Sequence, residues 1–290
     1  MTTLCWAACK ALLEKQPDSQ RNELLIFLPP SQQEEIKKAP THINFFSSLS
    51  PEILDFIHPS WLVQSLQRHT ENENERSFFL AALQPVLGKE IKKQLAITRS
   101  LPSLTPFGKN YLRREWLGQI KKERGEAFPQ NALSESAFNI LLELDARQLS
   151  LLSFRLGLYD LAEELRYVID KQTLQFIEET LTPFEWQMLK NFQTKKERLT
   201  FGRMPLKKVM NEPLKLRLAI EQYGMNRLGK ALYGEDSSLL WHLLLRMDQK
   251  RANFLSTLCT PPAKPELNET IKHQVLALVP QILERPKKEE

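Results

Sequence analysis

Apolar residues recur three and four positions apart along most of the chain. Between Ser150 and Leu165 the leucines keep this spacing, and Leu158, Leu161, Leu165, Val168 and Ile169 form one stripe. Glu163, Glu164 and Arg166 face elsewhere, which is the layout of an amphipathic helix. No comparable run of alternating β-branched residues occurs, and valine is scarce. The pattern predicts an all-α protein, an irregular helical array or bundle of short amphipathic helices, divisible into two subdomains.

Helix starts are marked by the triplets Leu49-Ser50-Pro51, Leu104-Thr105-Pro106 and Leu181-Thr182-Pro183. In each, the hydroxyl can accept from a backbone N–H that the helix leaves unpaired, and proline suits the first helical position. Glu185 stands at N3 after Thr182 and completes a capping box. These signals predict helices over 51–57, 106–122 and 183–199. Periodicity predicts others over 3–15, 20–28, 31–38, 59–68, 75–98, 134–144, 146–157, 158–170 and 171–180. A last set covers 212–223, 225–233, 236–247, 248–258 and 266–284. The three starts fall at unequal intervals, so a regular solenoid is not expected.

Proline and glycine place linkers at 99–106, 124–133 and 200–205. The expected division is an irregular, proline-rich helical part over 1–130 and a compact helical domain over 131–285. Residues 286–290 form a charged tail expected to fray.

The length of 290 residues allows one large or two ordinary domains, and nine glycines are few for an alternating α/β enzyme. Three cysteines cannot all pair internally, which fits a reducing compartment. No apolar run approaches the roughly 20 residues of a membrane span, and the opening residues lack a secretory leader's pattern. The expected location is the cytoplasm.

Charge is unevenly distributed. Residues 1–145 hold 17 basic and 17 acidic side chains, so the whole excess of +5 lies beyond them. The window 187–230 has eleven basic residues against Glu197, Glu212 and Glu221, a net +8. Its centre, Lys195, Lys196, Arg198, Arg203, Lys207 and Lys208, is either a partner-binding surface or the solvated face of ordinary helices. Phe192, Phe201 and Tyr223 are interleaved with it, so a helical nucleic-acid binder is the alternative reading. No zinc finger, RNA-recognition signature or clear helix-turn-helix accompanies them.

None of the common catalytic motifs is complete in the sequence. Cys5 and Cys9 can share a helix face, but two thiols do not complete a structural zinc site. His42, His58, His69, His242 and His273 are isolated, with none in a metal-binding motif. Gly224–Lys230 ends in Gly-Lys, but Ala231 follows where a phosphate loop needs Ser or Thr. The sequence therefore predicts a non-enzyme with no cofactor and no metal.

One short element resembles a known family. Phe56-Ile57 followed by His58-Pro59-Ser60-Trp61-Leu62 is similar to the SctK family, the accessory cytosolic proteins of bacterial type III secretion systems. The match covers Leu49–Leu66. Leu144–Leu149 and Leu161–Leu165 are more faintly similar to the armadillo-like helices of the flagellar switch protein FliG, without its torque-helix charge ridge. The SctK resemblance implies a scaffold between the cytosolic side of the inner-membrane ring protein, SctD, and the sorting-platform pod protein, SctQ. It implies contact with the membrane only through those partners. Locally, Pro59 can begin a helix and Trp61 can anchor it, so the element is either a buried junction or a partner contact.

Overall fold

In the computed structural model of the chain, the residues described are 6, 9–10, 13, 17–38, 51–125, 127–194, 203–209, 212–261 and 265–284. The side chains of Asp18, Ser19, Pro51, Lys207, Lys208, Pro265 and Glu266 stand outside that description. Among the described residues the protein is all-α, with fourteen α-helices, three 3-10 segments and no strand. None of these helices is long and apolar enough to cross a membrane. The chain divides into two compact units, one of residues 1–136 with 236–242, the other of 137–235 with 243–290.

The first unit begins with α1 (Asp18–Ile26) and α2 (Pro30–Lys38). A 3-10 turn (Pro51–Phe56) then leads into α3 (Pro59–His69), α4 (Glu73–Ala82), α5 (Pro85–Gln94) and α6 (Pro106–Arg124). Trp6 and Ile36 form a small cluster with Cys9, Leu13, Leu25 and Leu28. The larger core gathers Leu54, Leu62, Leu66, Leu80, Ile91 and Leu117, all fully buried. Two polar contacts fix its layers. The Trp116 indole N–H donates to Ser65 Oγ at 3.1 Å, and Phe79 meets the Trp116 ring edge-on. Arg113 donates to both oxygens of Asp55, at 2.7 and 2.6 Å, and to the Ala82 carbonyl at 2.6 Å.

The helix expected over 75–98 is two helices. Pro85 has no N–H to continue the ladder and pushes Gln84 into extended backbone, with ψ 142°. The Gln84 N–H, released from helical bonding, donates to Asp55. Helix α5 ends in a Schellman motif: Ile97 N–H reaches the Lys92 carbonyl and Ala96 N–H the Lys93 carbonyl. Ala96 thereby sits at φ 51°, in the left-handed region where a Cβ is penalised.

The second unit is built around α7 (Ala146–Leu165) and α11 (Pro213–Ala231). Packed with them are α8 (Lys171–Thr180), α9 (Pro183–Gln193), the short α10 (Leu206–Val209), α13 (Gln249–Leu258) and α14 (Pro265–Leu283). Helix α12 (Ser237–Arg246) begins in the first unit and ends in the second. Both α7 and α9 open with capping boxes, Asp145 with Gln148 and Thr182 with Glu185.

The pairs expected over 146–157 with 158–170, and over 212–223 with 225–233, are each one continuous helix. The apparent breaks at Gly157 and Gly224 are where the two helices touch. A Cβ on Gly157 would fall 1.8 Å from the Ile220 carbonyl oxygen, and one on Gly224 would fall 1.6 Å from that of Ser153. The Ser150–Glu221 hydrogen bond, this contact and the Asp160–Arg227 ion pair follow in the same order on both helices. The helices therefore run in the same direction.

Just beyond the contact Arg227 donates to both oxygens of Asp160, at 2.6 and 2.9 Å, and to Gln274 on α14 at 2.8 Å. Both charged side chains are only 1% exposed. Such a pair is held by its geometry, because removing either partner strands a charge in a poorly solvated site.

Two substitutions test these backbone features. Ala96→Gly relieves the left-handed strain, and the urea midpoint should rise by an amount equivalent to about 1 kcal/mol. Gly224→Ala has no space to enter, and the same measurement should show a loss of about 3 kcal/mol.

Candidate docking surfaces

The resemblance element is a helix start. His58 is the N-cap of α3, and its Nδ1 accepts from the Ser60 N–H at 3.2 Å, with Ser60 Oγ at 2.9 Å. A ring nitrogen that accepts there is unprotonated, so Ser60 supplies the hydrogen in both contacts. Pro59 holds the first helical position. Trp61 and Leu62 are buried, and the Arg124 guanidinium lies 4.0 Å from the Trp61 ring centroid. Burial pushes the Arg124 pKa down, with Arg68 acting the same way and Glu123 opposing. Glu123 in turn meets His69 at 2.7 Å and Arg68 at 3.6 Å. The element's outward part is thus limited to half-buried His58, Pro59 and Ser60, with Phe56 exposed just before them.

The basic window is only partly placed. Lys195, Lys196 and Arg198 lie outside the described residues. Lys207 and Lys208 lie on α10, with side chains also outside the description. Arg203 is exposed, its guanidinium 5.6 Å from the Tyr167 ring centroid. The backbone around it is anchored: Tyr223 O–H donates to the Arg203 carbonyl at 2.6 Å, and Met204 N–H to Glu164 at 3.1 Å. Met204 and Leu206 are buried, so α10 enters on a fixed footing.

Other cations of the window are engaged inside the second unit. Lys215 pairs with Glu212, Arg227 with Asp160 and Arg217 with Glu185, while Lys230 bonds to Thr260. Two of those acids, Asp160 and Glu185, precede the window in sequence. The net +8 of residues 187–230 therefore overstates the charge that this stretch presents to a partner.

Glu185 is held from two sides. Arg217 donates to both its oxygens at 2.9 and 3.0 Å while lying 4.4 Å from the Phe154 ring centroid. Burial raises the Glu185 pKa. The Arg217 hydrogen bond and charge and the Thr182 capping bonds outweigh it and hold the carboxyl below its usual range.

Among the described residues no group of three or more His, Cys, Asp or Glu side chains is arranged to hold a metal. Cys259 is a free thiol, and burial raises its pKa against the pull of Lys230. Cys5 lies outside the described residues. His242 is buried and its Nε2–H donates to the Phe128 carbonyl at 2.7 Å. Gly224–Lys230 lies within α11, where both glycines serve helix packing, Gly229 against Leu258.

The sequence alone had no means of finding the partners of Arg217 and Arg227, which sit 32 and 67 residues away. No family model, no curated protein and no solved structure matches the chain.

The Glu185–Arg217 pair gives a pH dependence of definite sign. The folded-state pKa of Glu185 lies below the unfolded one, so the pair's contribution is full above the unfolded value of about 4.3. It is lost as pH falls through the folded value. Denaturation midpoints measured from pH 7 to pH 3 should drop more steeply for the native chain than for Glu185→Gln, which starts lower and has less to lose.

Proposed function

We propose that the chain is a non-catalytic adaptor of a bacterial type III secretion apparatus. In this reading it bridges the cytosolic side of an SctD-like inner-membrane ring protein and an SctQ-like pod protein of the sorting platform. The reading rests on the Phe56–Leu62 element, which is similar to that of the SctK family and stands at the capped start of α3. An all-α chain of two compact units suits a scaffold, since each unit can offer a surface. The ion pairs Asp160–Arg227 and Glu185–Arg217 join helices, which is in keeping with that role. Its site is the cytosolic face of the membrane, reached through partners.

The nucleic-acid alternative draws on the same 187–230 window. It is the weaker reading, because Arg217 and Arg227 are neutralised by acids outside that stretch.

The test is capture of the ring and pod proteins by the tagged full-length chain from a lysate of its native host, with both proteins identified by mass spectrometry. Replacing Lys195, Lys196, Lys207 and Lys208 by Glu should weaken capture about tenfold without changing the helical circular dichroism spectrum. Recovery of neither protein would sink the adaptor reading. Undiminished capture by the reversed variant would remove the basic window from the interface.

A further inference from the structure

Helix α6 packs through one face. Trp116, Leu117 and Ile120 are buried there, and the helix contacts α3, α4 and the Pro51–Phe56 turn. The opposite face carries Phe107, Tyr111, Arg114, Gly118, Lys121 and Lys122, which fall on one stripe at helical spacing. Phe107 is 81% exposed and Tyr111 60%. Single exposed aromatics are ordinary, but two on successive turns followed by three cations make a patterned surface.

Of the other charges of the helix, Lys109 is exposed near its start and the rest are engaged. Arg113 binds Asp55, Glu123 meets His69 and Arg68, Arg124 lies on Trp61, and Glu115 accepts from Gln119. Among the described residues, Arg114, Lys121 and Lys122 are in no ion pair. The stripe is thus aromatic at one end and basic at the other.

Gly118 lies in the middle of it. A Cβ there would meet nothing within 4 Å, and its backbone is ordinary helix, so neither packing nor a turn within the chain requires glycine. Glycine weakens a helix interior, which leaves its presence without an internal reason. Its missing side chain makes a notch within the basic half, between Arg114 and Lys121, open enough for another backbone to approach closely.

We propose that the outer face of α6 is a docking surface for an acidic amphipathic helix of a partner protein. The partner's apolar residues cover Phe107 and Tyr111, its backbone crosses at Gly118, and its carboxylates meet Arg114, Lys121 and Lys122. Charge complementarity selects an acidic partner. The notch selects a protein helix over an anionic membrane, because a fluid lipid surface gains nothing from a gap one side chain deep. The inference stands on α6 alone and is independent of the secretion reading.

The experiment uses the full chain with two probes. One is a fluorescent helical peptide of about 20 residues with Leu at the a and d positions and Glu at e and g. The other is vesicles of phosphatidylglycerol. The peptide should bind in a salt-sensitive manner, and both Phe107→Ser/Tyr111→Ser and Arg114→Glu/Lys121→Glu/Lys122→Glu should weaken it about tenfold. Gly118→Gln, which favours the helix and should raise the thermal midpoint, should weaken binding to a similar degree. Peptide affinity that none of the variants changes, or no peptide binding at all, overturns the proposal. So does binding to vesicles without binding to peptide, which would make the face a membrane contact.

Discussion

Two helix backbones in direct contact set the arrangement of the second unit. At Gly157 and Gly224 there is no room for a side chain on either helix, so α7 and α11 lie as close as backbones allow. That closeness places Asp160 within reach of Arg227 and lets Gln274 on α14 complete the guanidinium's bonding. Buried charge is costly unless paired at good geometry, and here the glycine contact supplies the geometry. Helix α13 uses the same device, resting Leu258 on Gly229. One helix, α11, thereby serves as the post for three neighbours.

The same glycines explain where sequence reading failed. Helix class, the Thr105 and Thr182 caps and the outlines of α3, α6 and α8 were readable, because capping and amphipathic spacing are local. Gly157 and Gly224 looked like interruptions, since glycine weakens an isolated helix. Their reason for being helical lies on another helix, which no window of contiguous residues contains. Pro85 was the opposite case: the apolar spacing ran through it, while the backbone could not.

The candidate surfaces divided along the same line. The charge window was counted along the chain, yet charge is felt through space. Arg217 and Arg227 belong electrostatically to Glu185 and Asp160, so counting neighbours in sequence assigned them to the wrong company. Trp61 could be recognised as an anchor, but its direction could not: the ring points inward, under Arg124. The outer stripe of α6 was missed for a related reason. Phe107 and Tyr111 stand out only once the buried face of the helix, Trp116, Leu117 and Ile120, is placed.

The first unit takes its last piece from far down the chain. Residues 236–242 return to it after the polypeptide has built about a hundred residues of the other unit, and they bond to its earlier segments. Ser238 accepts from Phe128 N–H, Asp236 from Ser134, and His242 donates to the Phe128 carbonyl. During synthesis from the N-terminus, residues 1–136 must leave the ribosome with this seam open. Phe128 waits for its partners until residue 242 has emerged. A chain stopped short of that point would expose an unfinished edge, so the order of translation makes completion of the first unit a report that most of the second has already been made.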